Sequence, residues 1–198
     1  MIIREMRRLD IEAVSLIHKK TIPGPGSKIG KRFLIKFYNL LLSNPKDNIS
    51  LVAELDGKIV GILVATRNYP NTKKLLNKIY SPEVFIDTLK AIFLGKLGIK
   101  ELYNHYRFSS QFETKSLTFN PFIAILTLAV DKSFQRKGIG RQLLVRLIRD
   151  LSREKIKLIM VDTLLENQQA LGFYNKMGFR SKFQLVDSWV LEKVVSSM

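Results

Sequence analysis

The chain has 198 residues, 46% hydrophobic, 25% charged and 10% aromatic, and its 33 Lys and Arg against 17 Asp and Glu leave a net charge of +16. One globular domain with a sizeable core suits this length and composition, which exclude fibrous repeats and a largely disordered chain. Cysteine is absent and His18 and His105 are the only histidines, which excludes a disulfide framework, a Cys-based zinc site, a Cys nucleophile and a multi-histidine metal cluster, and fits a reducing cytoplasmic location.

In chain order, Ile2 to Met6 reads as a short strand and Asp10 to Lys19 as a helix with Ile11, Ala13, Val14, Leu16 and Ile17 on its apolar side. Pro23-Gly24-Pro25-Gly26 breaks it. A second helix, Ser27 to Ser43, places Ile29, Phe33, Phe37, Leu40 and Leu41 at helical spacing. Ile49 to Leu55 and Lys58 to Thr66 flank Asp56-Gly57, a type I′ turn signal, and predict a β-hairpin. Residues 71 to 118 form a helical stretch, in which Phe85, Ile86, Leu89, Ile92, Phe93 and Leu97 make a stripe that something must cover. Packing on the chain's own core is the default cover, with a homodimer or a membrane surface as alternatives. Ile123 to Val130 is a buried strand, Gly138 to Ser152 an amphipathic helix with Arg153 at its end, Lys157 to Asp162 a strand, Gln168 to Met177 a short helix, and Phe179 to Val195 two closing strands.

The excess of positive charge is spread, at +6 over residues 1 to 70, +4 over 71 to 118 and +6 over 119 to 198. A nucleic-acid module more often concentrates its charge, so the spread argues against nucleic acid as partner. The start lacks the apolar stretch of a signal peptide, and the longest apolar run, Phe122 to Val130, falls short of the roughly 20 residues of a membrane helix; no transmembrane segment is expected.

Chemistry concentrates in the strand-turn-helix Leu128-Ala129-Val130-Asp131-Lys132-Ser133-Phe134-Gln135-Arg136-Lys137-Gly138-Ile139-Gly140-Arg141. Glycines before a helix let backbone approach a ligand closely, and first-turn N–H groups without intrahelical partners attract phosphate. Arg136, Lys137 and Arg141 reinforce that field; an ordinary tight turn is the competing reading. Gly24 and Gly30-Lys31 have the wrong spacing for a P-loop. A dinucleotide fingerprint would need a small residue at Leu143, and the 36 residues after Asp162 are too few to complete a doubly wound sheet.

Gln135-Arg136-Lys137-Gly138-Ile139-Gly140 resembles the Q/R-x-x-G-x-G/A turn of the GCN5-related N-acetyltransferase (GNAT) family. Asn167, Ala170, Phe173-Tyr174 and Met177-Gly178-Phe179 are similar to its N-x-x-A-x-x-x-Y-x-x-x-G-F signature in order and spacing. The resemblance is loose over residues 1 to 70, close over 119 to 180, and interrupted by 71 to 118. It implies an α/β (α+β) fold with a mixed, mostly antiparallel sheet flanked by helices, here with a helical insertion between the third and fourth strands of a single domain spanning 1-198. It also implies acetyl-CoA as acyl-donor cosubstrate, no metal, an amine-bearing acceptor, small molecule or peptide, and direct transfer without an acyl-enzyme.

By position, the resemblance implies that Leu128, Ala129 and Val130 offer backbone groups to pantetheine and to the thioester oxygen. Gln135, Arg136, Lys137, Gly138, Ile139, Gly140 and Arg141 would hold the pyrophosphate. Asn167 would contact coenzyme, cap a helix, or do both. Tyr174 is the candidate general acid, a phenol still protonated at neutral pH. Asp162, five residues before Asn167 where the ribosomal-protein branch carries a Glu, is the candidate base, against a bland role as a solvated acid; Glu54 is its rival. His18 reads as a surface or capping residue, and His105 lies in the insertion. A non-catalytic acyl-CoA sensor with a basic surface is the alternative function.

Overall fold

Asp56 and Gly57 take φ of 50° and 73°, the left-handed pair that a two-residue hairpin matching strand twist requires. In the computed structural model, which describes residues 1–116, 121–152, 154, 156 and 158–195, they join β2 (Asn48–Leu55) to β3 (Lys58–Thr66), after β1 (Ile2–Glu5). Between β1 and β2 stand α1 (Ile11–Thr21), α2 (Pro25–Ile29) and α3 (Lys31–Leu42). After β3 come α4 (Tyr69–Leu76), α5 (Pro82–Phe93) and α6 (Ile99–Ser116), then β4 (Ile123–Val130), α7 (Ile139–Leu151), β5 (Leu158–Leu164), α8 (Gln168–Lys176), β6 (Arg180–Leu185) and β7 (Ser188–Val194). Lys157 and Arg153 of the sequence reading lie outside the described residues, as do 117 and 118 at the end of the insertion.

The strands form one seven-stranded sheet in the order β1-β2-β3-β4-β5-β7-β6. Every pairing is antiparallel except β4 with β5. Leu143, Leu144, Leu147 and Leu151, one side of α7, are fully buried with Leu63, Ile123 and Ile159 on one face of the sheet, each such side chain contributing about 1.5–3 kcal/mol. Val14 of α1 and Tyr38 and Leu41 of α3 cover Val52, Ile62 and Val64 on the other face. The architecture is the mixed, mostly antiparallel sheet with flanking helices that the resemblance implied, with α4 to α6 inserted between the third and fourth strands.

Three expectations need correction. The helix over residues 27 to 43 is two helices, because Gly30 at φ 124° and ψ −169° interrupts the turn between α2 and α3, a conformation open to Gly and to little else. The stripe of the insertion is mostly uncovered: Phe85, Ile86, Leu89 and Phe93 are exposed, Ile92 is half-buried, and Leu97 alone is buried. The inward side of α5 is instead Val84, Asp87, Thr88 and Ala91, with Asp87 3.5 Å from Arg32 of α3. Periodicity located an apolar side and could not say which side an ion pair would claim. His18 is not a surface residue either. Its Nδ1 lies 2.7 Å from the Tyr38 hydroxyl, its half-buried ring meets Phe37 and Tyr38 edge-on, and burial lowers its pKa to about 4.

Arg4 ties the first strand down, with its guanidinium 2.7 and 2.9 Å from the two oxygens of buried Asp10 and its Nε 2.7 Å from Glu54. Burial pushes Asp10 up, but hydrogen bonds from Arg4 and the Arg7 amide outweigh it, so its carboxyl stays below the ordinary range.

Candidate active site

The site begins with a fault in β4. Val64 of β3 pairs with Thr127 and Ala65 with Ile125, which leaves Leu126 as an extra residue. Such a bulge bends its strand. On the opposite edge, β4 pairs with β5 only from Ile123↔Ile159 to Ile125↔Val161. Beyond that point the two parallel strands part around a cavity of about 200 Å3, lined by residues 125–128 of β4, 161–164 of β5, Asn167, Ala170 and Tyr174, with residues 21–23 at its lip. It is smaller than the roughly 300–1,000 Å3 of a whole small-molecule site, which suits a thin arm entering between strands.

The cleft gathers four residues named from the sequence: Leu128, Asp162, Asn167 and Tyr174. Tyr174, on α8, is 6% exposed and packed edge-on against Phe173 and Phe179. Burial first, and the charge of Asp162 second, raise its pKa, so the phenol keeps its proton at neutral pH. Asp162, on β5 opposite Val190, lines the cleft and is exposed to solvent. Protein on its other sides desolvates the charged form and, with a smaller push from Asp187, moves its pKa up to about 6. Asn167 caps α8, its side-chain oxygen accepting from Ala170 N at 3.0 Å.

The other named residues lie elsewhere. Ala129 and Val130 pair with Ile62 and Gly61 farther along β4, and Ala129 is buried toward α1 and α3. The turn beyond holds its own shape: Gln135 Nε2 donates to Val130 O at 3.1 Å, Asp131 accepts from Ser133 N at 3.0 Å, and Lys137 Nζ lies 5.1 Å from the Phe134 ring centre. Arg136 at φ 60° and Gly138 at φ 78° turn the chain into α7, whose start has no side-chain cap. Successive turn amides of this kind make an anion-binding concavity. A Cβ built on Gly138 meets nothing within 4 Å, so the glycine leaves an open cradle beside the exposed Arg136, Lys137 and Arg141. Ile139 is buried and anchors α7, and Gly140 packs against the Phe173 ring. Neither Glu54, held by Arg4, nor His18 lines the cleft, and His105 is exposed on α6.

Sequence reasoning missed Thr127 and Tyr69. Thr127 is 3% exposed and lines the cleft, with its hydroxyl toward that of Tyr38, which in turn meets His18 Nδ1 at 2.7 Å. Tyr69 of α4 is pushed up to about 12, by burial and in lesser part by the Asp162 charge, against a hydrogen bond to Ser109. Nothing in the local sequence marks either residue. Among the described residues no group of three or more His, Asp or Glu could hold a metal ion.

The chain as a whole has counterparts among known proteins. The family described as Acetyltransferase (GNAT) family matches residues 17–179. The chain belongs to this family. A [ribosomal protein bS18]-alanine N-acetyltransferase of Salmonella typhimurium is 34% identical to this GNAT chain over 55 residues, 28% of the chain and 37% of the relative. The Escherichia coli K12 counterpart is 33% identical over the same length. The match thus spans little more than a third of the curated relatives. Among solved structures, the ribosomal-protein-S18-alanine N-acetyltransferase from Escherichia coli superposes with a TM-score of 0.60 at 14% identity, covering 100% of this chain and 95% of that one. The PaiA N-acetyltransferase from Thermoplasma acidophilum, in complex with coenzyme A, gives 0.62 at 15% identity, covering 98% of both. At these identities the structures establish a shared GNAT fold.

Proposed function

We propose that the chain transfers an acetyl group from acetyl-CoA to an amine by direct attack, without an acyl-enzyme. The single observation that carries this reading is the cleft between β4 and β5, which collects Asp162, Asn167 and Tyr174 at one place, beside β4, the strand that leads on to the Gly138 turn. When bound, acetyl-CoA supplies an electrophilic thioester carbon and a thiolate leaving group. The exposed amides of the turn and Arg136, Lys137 and Arg141 hold phosphate, and the bulged backbone around Leu126 to Leu128 offers hydrogen-bond donors to the thioester oxygen. Asp162 accepts the proton that the amine must lose, directly or through water, and Tyr174 gives its proton to the departing sulfur. The absence of cysteine removes the most nucleophilic side chain that could carry the acyl group.

The weak basicity of Asp162 bears on the acceptor. A base near pKa 6 deprotonates an α-ammonium of pKa about 7.7–8.0 more readily than a lysine ammonium near 10.4. A peptide N-terminus is therefore the acceptor class proposed, in keeping with the alanine N-acetyltransferases among the relatives. Release of free thiol from acetyl-CoA tests this with three acceptors: a peptide with a free N-terminal alanine, an N-blocked peptide with one lysine, and a small primary amine. Faster release with the first supports the reading. Coenzyme binding without release for any of the three would identify a non-catalytic acyl-CoA sensor instead.

A further inference from the structure

Helices α5 and α6 each leave a side uncovered. On α5, Phe85, Ile86, Leu89 and Phe93 fall along one side and are all exposed, Phe93 at 92%. Leu94 in the following turn is 62% exposed, and Ile99, Tyr103 and Tyr106 continue the pattern along one side of α6. Val84, Ala91 and Leu97, with half-buried Leu102, pack into one cluster with Ile29 and Ile79, so the exposed sides of both helices point away from that cluster.

Charge is sorted in the same sense. The acids of residues 81–116 are Glu83, Asp87, Glu101 and Glu113; the first three pair with Lys36 at 3.3 Å, Arg32 at 3.5 Å and Lys28 at 2.6 Å, on α3 and α2, and Glu113 pairs with Lys73 of α4 at 2.7 Å. Lys90, Lys96, Lys100 and Arg107 are exposed and within ion-pair distance of no carboxylate among the described residues. The outer side of the insertion is thus apolar and basic, its acids spent on pairs with α2, α3 and α4.

We propose that this side lies on an anionic lipid surface. Phe93 and Leu94 enter the acyl-chain boundary, Tyr103 and Tyr106 sit at headgroup level, and the lysines and Arg107 meet lipid phosphates. A second copy of the chain is a poor occupant, because a two-fold interface would set each basic rim against itself with no acid between. Nucleic acid would match the charge but leave Leu94 and Ile99 in water. A protruding side chain such as Phe93 needs no matching pocket in a bilayer, as it would on a folded partner.

Co-sedimentation of the full chain with vesicles tests the proposal. With vesicles containing about 30% phosphatidylglycerol, binding should exceed that to pure phosphatidylcholine by roughly tenfold or more, and should weaken as salt screens the lysines. Phe93→Asp with Leu94→Asp, both outside the core, should lower binding by roughly tenfold while acetyl-CoA affinity, read by calorimetry, confirms an intact fold. Lys96→Glu with Lys100→Glu should weaken binding to the anionic vesicles alone. Equal pelleting with and without vesicles would overturn the proposal. So would wild-type binding by the Phe93→Asp, Leu94→Asp protein, which would reduce the effect to adsorption by net charge, or a dimer that these same substitutions dissociate.

Discussion

Tyr174 and Asp162 face one cleft, yet their surroundings fit them for opposite tasks. Desolvation by the surrounding protein raises both, but it starts from a phenol already protonated at neutral pH and from a carboxyl that is not. In the proposed mechanism Tyr174 therefore keeps the proton it is to donate, and Asp162 is free to accept one only above about pH 6. Tyr174→Phe should lower turnover by roughly 100-fold with coenzyme affinity unchanged, within the usual contribution of a positioned acid; full turnover in the variant removes Tyr174 from the mechanism. For Asp162, activity should rise with pH through about 6, as the carboxyl loses its proton and becomes able to accept another. Asp162→Asn should abolish that limb, and an unchanged limb assigns it to another group. The same shift has a cost in stability. Between the ordinary carboxylate pKa and about 6 the folded chain holds a proton that the unfolded chain has lost, so stability falls as pH rises through this window. Asp162→Asn should therefore gain in Tm over the parent as pH rises from about 4 to about 7.5, and a constant difference would place the carboxyl in ordinary water.

At the scale of elements, the strand-turn-helix from Ile123 to Leu151 was legible because each part carries its own local signal: an unbroken apolar run, glycines at the turn, leucines every three or four residues. The hairpin was legible through Asp56-Gly57 for the same reason. The bulge at Leu126 was not, since it depends on register against β3, a relation between segments far apart in sequence, and with it went Thr127. The outward side of α5 was misread because Arg32 and Lys36, which capture Asp87 and Glu83, belong to another helix. Tyr69 illustrates the same limit, reaching the neighbourhood of Asp162 only because α4 folds back over the sheet. Tyr69→Phe should raise the acceptor KM several-fold and leave coenzyme affinity unchanged if α4 borders the acceptor; steady-state kinetics in both substrates reads this, and unaltered acceptor kinetics puts Tyr69 in the packing alone.

For the whole molecule, the insertion serves the core as well as the surface. Phe108 and Phe112 of α6 are buried with Phe122, Met160 and Val190, so replacing the entire insertion by a short loop would strip one face of the sheet near Asp162. Phe112→Ala should cost about 3–5 kcal/mol in denaturant unfolding, and a cost under about 1 kcal/mol would show that α6 is not part of the cooperative core. Glu83, Asp87 and Glu101 hold α5 and α6 to α2 and α3 and leave the outer side apolar and basic, while the cleft and glycine turn stay on the parent sheet. The central claim, that this cleft and turn form an acyl-coenzyme site, is tested most directly by calorimetric titration of acetyl-CoA into the wild-type chain and into Gly138→Glu, where a side chain at φ 78° would fill the cradle and repel phosphate. Binding in the micromolar range is expected for the first and none for the second; equal affinity in a folded Gly138→Glu protein, or no binding by the wild type, would rule the site out.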